Sequence, residues 1–199
     1  MHKETFIEQL KNELHSQGLT LGTRRATQWL VDKIGLTKSL NRSGLMSDEE
    51  RMRNKWFIGG MFFFWYDPKT KETLPWYDKF PLTIPIDVYP DGFLGLNLHY
   101  LGPRPRIALL EKLMQYTNNT QYDERTKFML TYKTLAGASR IQAFRPCLHR
   151  YLSGYIRSNF LSIPADEWYI AAVLPVQSFS KASASAVWAE SLRIVRRMQ

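Results

Sequence analysis

The sequence predicts an α+β protein: a small antiparallel curled sheet or barrel over about residues 56–101, flanked by N-terminal and C-terminal helices. Three observations carry this. Leu82-Ile84-Ile86-Val88 alternates with Thr83-Pro85-Asp87, and Phe93–Tyr100 alternates again after Tyr89-Pro90-Asp91-Gly92. Period two is the mark of a half-buried strand, and Asp-Gly between two such runs marks a hairpin. On either side of this block the apolar spacing changes to that of helices.

His2–Gln17 places Phe6, Ile7, Leu10 and Leu14 on one helical face, with Gly18 as a stop. Thr23 is positioned to cap a helix over Arg24–Ile34, with Ala26, Trp29, Leu30 and Ile34 on its apolar side and Gly35 at its end. Thr37–Gly44 is polar and loop-like. Ser47, followed by Asp48-Glu49-Glu50, predicts a short capped helix to about Asn54. Residues 1–55 then form a helical arm, and 56–199 a core domain, if the whole is not one continuous domain.

Trp56–Tyr66 is expected as a strand, closed by the Asp67-Pro68-Lys69-Thr70 turn. Five consecutive aromatics, Phe62-Phe63-Phe64-Trp65-Tyr66, must point to both faces of the sheet in turn. Both faces then need cover, so the run is core material in preference to an exposed stacking platform. It is short and bounded by charge, which argues against a membrane anchor. Pro85 inside a strand implies an edge or a bulge. After Pro103 and Pro105, helices are expected over Arg106–Tyr116 and Asp123–Leu135. Another is expected from Pro146 to about Ser158, then a helix or turn at Ser162–Trp168 and a final helix over Ser180–Met198.

Net charge is +9, and it is uneven. Leu101–Phe160 holds ten Lys and Arg against three acids, whereas Phe57–Tyr100 holds three against five. A localised basic excess favours a polyanion, usually nucleic acid. The contact candidates are Arg104 and Arg106, at a proline-stiffened helix start where backbone N–H groups also favour phosphate, and Arg140, Arg145, Arg150 and Arg157. Nothing in their arrangement implies base reading, so double-stranded DNA would be held by its backbone without sequence preference.

Catalytic signatures are missing. The chain has neither a G-x-S-x-G elbow nor a phosphate loop, and Gly92-x-x-Gly95 opens a strand where a dinucleotide fingerprint would open a helix. Cys147 is the single cysteine, and Cys147-x-His149 has no second ligand pair, so no zinc motif and no cofactor is expected. His99 reads as a buried, hydrogen-bonded strand histidine. A metal nuclease needs clustered acids beside a lysine, and Asp87 and Asp91 flank a turn with no acid-x-lysine strand after them. No apolar run reaches membrane-spanning length, and no signal-peptide block opens the chain, which fits a protein assembled in a cytosol.

One resemblance rests on Tyr66-Asp67-Pro68-Lys69, Leu74-Pro75-Trp76-Tyr77-Asp78, Phe80-Pro81-Leu82 and the run Gly92-Phe93-Leu94-Gly95-Leu96-Asn97-Leu98-His99-Tyr100-Leu101. It continues through Asn118–Asp123, Ile163–Trp168 and Phe179–Ser183. These blocks resemble the DNA end protector (head completion) family of large contractile-tailed bacteriophages. The resemblance implies a non-enzymatic virion protein, assembled in the bacterial host cytoplasm as an oligomer with other proteins of the head–tail region. It would bind the ends of packaged DNA and shield them from exonuclease. The rival reading is a neck or baseplate connector that touches only protein, its arginines meeting acidic neighbours. An uncharacterised nuclease is the third.

Overall fold

The computed structural model of the chain describes residues 4–35, 40–117, 133 and 142–197. Its centre is an open, six-stranded sheet in the order β1-β7-β2-β4-β5-β6, with every pairing antiparallel. The strands are β1 (Met52–Arg53), β2 (Met61–Phe63), β4 (Leu82–Tyr89), β5 (Gly92–Asn97), β6 (Leu148–Leu152) and β7 (Phe160–Ile163). A separate ribbon joins β3 (Tyr77–Asp78) to β8 (Phe179–Ser180). The helices are α1 (Phe6–Ser16), α2 (Arg24–Gly35), α3 (Arg42–Leu45), α4 (Pro103–Thr117), α5 (Trp168–Val173) and α6 (Ala184–Arg196).

The α+β class and the antiparallel sheet are as the sequence predicts, but the sheet is open and draws on strands far outside 56–101. The β4–β5 hairpin forms at Asp91-Gly92, and the ladder shifts between Pro85 and Asp87, so Pro85 marks a bulge in a central strand. The expected helix from Pro146 to Ser158 is instead a 3-10 turn, Gln142–Cys147, followed by β6. Its physical cause is the open edge of β5: His149 and Tyr151 alternate with Leu148, Arg150 and Leu152, and pairing satisfies backbone groups that an isolated helix would have left on that edge. The expected Ser47 helix is only a 3-10 turn, Glu49–Arg51, because Met52 and Arg53 leave it to pair with Leu161 and Phe160. α3 occupies the end of the expected 37–44 loop, with the Asn41 side chain accepting from the Ser43 N–H at 3.0 Å. Helix Asp123–Leu135 lies outside the described residues.

α1 begins in a capping box: Thr5 Oγ1 accepts from the Glu8 N–H, and the Glu8 carboxylate accepts from the Thr5 N–H at 2.8 Å. Thr23 Oγ1 accepts from the Ala26 N–H at 3.2 Å and so caps α2. Ile7, Leu10, Leu14, Ala26 and Leu30 share one apolar core with Met61, Phe63, Leu82, Leu161 and the whole of α5. Arg51 locks α1 to the body. It reaches Glu8 at 2.9 Å, Asp48 at 3.0 Å, and the buried Glu167 just before α5.

The aromatic run divides as alternation requires. Phe63 goes to the helix-covered face and stacks on Phe80, ring centroids 5.2 Å apart. Phe62, Phe64 and Tyr66 go to the other face and form a second core with Phe93, Tyr151 and Phe160. Only Met61–Phe63 of the expected Trp56–Tyr66 strand stays in the ladder. Beyond it the Trp65 N–H turns to Ser158 Oγ and the Tyr66 N–H to the Lys79 carbonyl.

Candidate nucleic-acid interface

The second aromatic core is covered by two segments distant in sequence. Residues 52–66 carry Arg53 and Lys55, residues 142–165 carry Arg145, Arg150 and Arg157, and neither contains an Asp or Glu. The fold brings them together. Arg53 pairs with Phe160 across β1–β7, and Lys55 and Trp56 line a cleft of about 460 Å³ with Ser153, Ile156 and Ser158. Arg157 donates its backbone N–H to the Trp65 carbonyl at 2.8 Å.

Arg150 lies in the edge strand β6, Arg145 in the 3-10 turn that precedes it and Arg157 just beyond the 3-10 turn that follows it. All three are exposed. The Arg150 guanidinium lies 3.7 Å from the centre of the Tyr89 ring and pairs with Asp91 at the hairpin tip. Arg157 Nη1 donates to the Gly154 carbonyl at 3.1 Å, and Arg53 Nη1 to the Glu50 and Met52 carbonyls at 2.7 and 2.9 Å. A guanidinium has five N–H donors in a rigid fork, so these local bonds orient each side chain and leave donors for an anion. Arg53 and Lys55 escaped the sequence reading, although the freedom of 52–66 from acids was visible in it.

The remaining candidates divide. Arg104 is exposed in the first turn of α4, but that turn offers few N–H groups to an anion, because Pro103 and Pro105 have none and the Arg106 N–H donates to the Gly102 carbonyl at 3.2 Å. Arg140 lies outside the described residues. Arg106 is corrected: it is 1% exposed and is a core residue. Its Nε donates to the Leu101 carbonyl at 2.8 Å, Nη1 to Ala172 at 2.9 Å and Nη2 to His99 at 3.3 Å. Burial pulls its pKa down to about 10, so it keeps its charge at neutral pH but cannot meet a phosphate.

Beneath the sheet edge lies a buried polar cluster. Asp78 accepts from the N–H groups of Phe80 and Ser178, from Asn97 Nδ2 and from His99 Nδ1. Asn97 Nδ2 also reaches Tyr151 Oη at 3.1 Å. Burial raises the thiol of Cys147 well above its ordinary range, which keeps it protonated and unreactive. The cluster is occupied with holding β3, β5 and the 98–100 turn together. His99 is buried and hydrogen-bonded as expected, but it sits in the 3-10 turn Leu98–Tyr100, just past the end of β5, and not in a strand. Among the described residues no three His, Cys, Asp or Glu side chains gather into a group able to hold a metal ion. Among them, too, no helix is long and apolar enough to cross a membrane.

Comparison with curated proteins and with solved structures gives no match. Comparison with protein families does: the model of the phage T4 terminal DNA protecting protein matches residues 3–191, nearly the full chain. That span takes in α1, both cores and the basic sheet edge. The chain therefore belongs to the family of phage T4 terminal DNA protecting proteins, phage proteins that protect DNA ends.

Proposed function

We propose that this protein binds the ends of the double-stranded DNA packaged in a phage particle and covers them against exonuclease. The observation that carries the reading is a set of exposed cations on two segments that hold no Asp or Glu: Arg145, Arg150 and Arg157 in and around β6, Arg150 paired with Asp91 of the neighbouring hairpin, and Arg53 and Lys55 next to the 153–158 segment. Exposed cations on segments without Asp or Glu suit phosphates, and with no base-reading element among them the contact is independent of sequence. Arg104 extends the positive surface at the start of α4. The role is structural, without metal or cofactor. It is exercised in the virion at the head–tail region, in more than one copy and among other virion proteins, after assembly in the host cytoplasm. Nothing in it calls for a membrane.

A second reading, a neck or baseplate subunit touching only protein, draws on the apolar groove between α4 and α6. Leu192 is 51% exposed there, beside Pro105, Phe144 and Val195. The test is digestion of a linear duplex by an exonuclease with and without the protein. Protection that fades with rising salt, and is lost in an Arg145, Arg150 and Arg157 alanine variant, supports DNA-end binding. Undiminished digestion at low salt favours the protein-only reading.

A further inference from the structure

A second cleft, of about 470 Å³, lies at the free edge of β6, between that edge and the loop of residues 68–77. Its walls are aromatic: Trp76 and Tyr77 from the loop, Tyr100 and His149 from the body, and Tyr66 and Tyr151 from the second core. Tyr100 and His149 pack as a tilted pair with centroids 4.0 Å apart, and Tyr66 meets Tyr151 edge to face at 4.9 Å. Trp76 and Tyr77 are half-buried, so each keeps surface open to the cleft. The charged groups that line it divide by sign and depth. Lys69 and Arg150 are exposed, Arg150 already paired with Asp91 at the hairpin tip, whereas Asp78 is 4% exposed, with both carboxylate oxygens taken by partners inside the protein. The Leu152 N–H points off the edge to Tyr66 Oη at 3.2 Å. Strand alternation then turns the Arg150 amide the same way.

Stacking walls under a cationic rim form a site for one nucleotide: a planar base needs aromatic faces and its phosphate needs cations, and the exposed carboxylate at this rim, Asp91, is neutralised by Arg150. The size falls within the range of about 300 to 1,000 Å³ typical of small-ligand clefts. We infer that this cleft takes the terminal nucleotide of a DNA strand, its base unpaired against Trp76 and its phosphate on Lys69 and Arg150. The inference rests on the DNA-end reading above and deepens it, because it supplies what the exposed cations lack: a reason to prefer an end. A phosphate-binding surface holds the interior of a duplex as well as its terminus. A cleft for a single unpaired nucleotide is served by a terminus, where the last base leaves its stack most easily.

The test compares a blunt linear duplex with a covalently closed circle of the same sequence, which has no unpaired nucleotide, using full-length protein. The linear duplex is expected to bind about 10-fold more tightly, the gain ascribed to one stacked base. Trp76→Ala brings that ratio close to one, and Lys69→Ala, at an exposed position with no packing role, lowers it partway. Both leave the affinity for the circle unchanged. A folded Trp76→Ala together with Lys69→Ala keeping the wild-type ratio overturns the inference alone. A wild-type ratio of one overturns it and contradicts end binding as well. Binding to neither DNA at low salt removes the DNA-end reading, and this inference with it.

Discussion

Asp78 Oδ2 lies 2.6 Å from His99 Nδ1, with the two side chains 1% and 0% exposed. Burial alone would raise the Asp78 pKa, but His99 and the amides of Phe80 and Ser178 outweigh it and hold the carboxyl below its ordinary range. For His99 burial wins, with help from the nearby charges of Arg106 and Arg42, and its pKa falls below the ordinary 6.5 despite Asp78. The pair is thus a carboxylate bonded to a neutral imidazole. His149 is likewise lowered by burial, to about 4.

Stability accordingly depends on pH in a stated direction. An unfolded chain takes up protons on these histidines as pH drops below 6.5, and the folded chain resists them. Asp78 adds to the effect at lower pH, its contribution complete above the carboxylate range and lost as pH falls through its depressed folded value. Urea midpoints are expected to hold steady from pH 8 to 7 and to decline steadily from pH 6.5 toward 4; these are flagged by the ordinary and lowered histidine values. A flat profile would contradict the buried neutral histidines.

Arg106 separates a structural cation from a DNA-contacting one. Arg106→Ala leaves three buried carbonyls, those of Leu101, Ala172 and His99, without this donor. It is expected to cost about 3 kcal/mol in denaturant titration. The folded fraction should keep the salt dependence of DNA binding unaltered, since the side chain never reaches the surface.

Glu8 and Arg51 bind α1 to the body. The Glu8 carboxyl is lowered to about 2, first by the Thr5 amide and then, against burial, by Arg51 and the Thr5 hydroxyl. Its contribution is therefore complete above its ordinary 4.5 and lost as pH falls through about 2. At neutral pH Glu8→Gln keeps the capping-box acceptor but loses the charge that faces Arg51, and is expected to cost about 1 kcal/mol. Arg51→Ala should cost more, about 3 kcal/mol, because Glu167 then stays buried with only Lys11 at 3.6 Å. The double variant should lose less than the sum, which urea midpoints of the three proteins will read.

At Gly92 the backbone of β6 lies close against β5, to which it pairs through Leu152. A Cβ there would stand 1.9 Å from the Tyr151 carbonyl oxygen, a backbone atom that cannot swing aside. Gly92→Ala is expected to destabilise by about 3 kcal/mol. It should also weaken DNA binding in the protein that remains folded, because it displaces the strand that carries Arg150. Unchanged DNA affinity in a folded variant would count against the β6 edge as the interface.

Legibility in the sequence tracked the range of the interactions. α1, α2 and the β4–β5 hairpin were visible because periodicity, caps and turn residues lie within each segment. β1, β6 and β7 were not, because their partners lie elsewhere in the chain: Met52 pairs with Leu161, and Gly95 with His149. Leu148-x-x-Tyr151-Leu152 satisfies a helical spacing as well as an alternating one, and only the waiting edge of β5 decides between them. Arg106 was misplaced although the sequence held the clue. It precedes the buried Leu109 and Leu110 by three and four positions, which puts it on the inward stripe of α4. The meeting of the two acid-free segments needed the fold, since Arg53 meets Phe160 only through the β1–β7 ladder.

The most direct test of DNA-end binding is the affinity of the purified protein for a blunt linear duplex and for a closed circle of the same sequence, across a salt series. Tight binding to the linear form is predicted, weakening steeply with salt. The log–log slope should fall by about 0.9 for each of Arg145, Arg150 and Arg157 replaced by alanine. Equal binding to line and circle, or no binding to either at low salt, would contradict it.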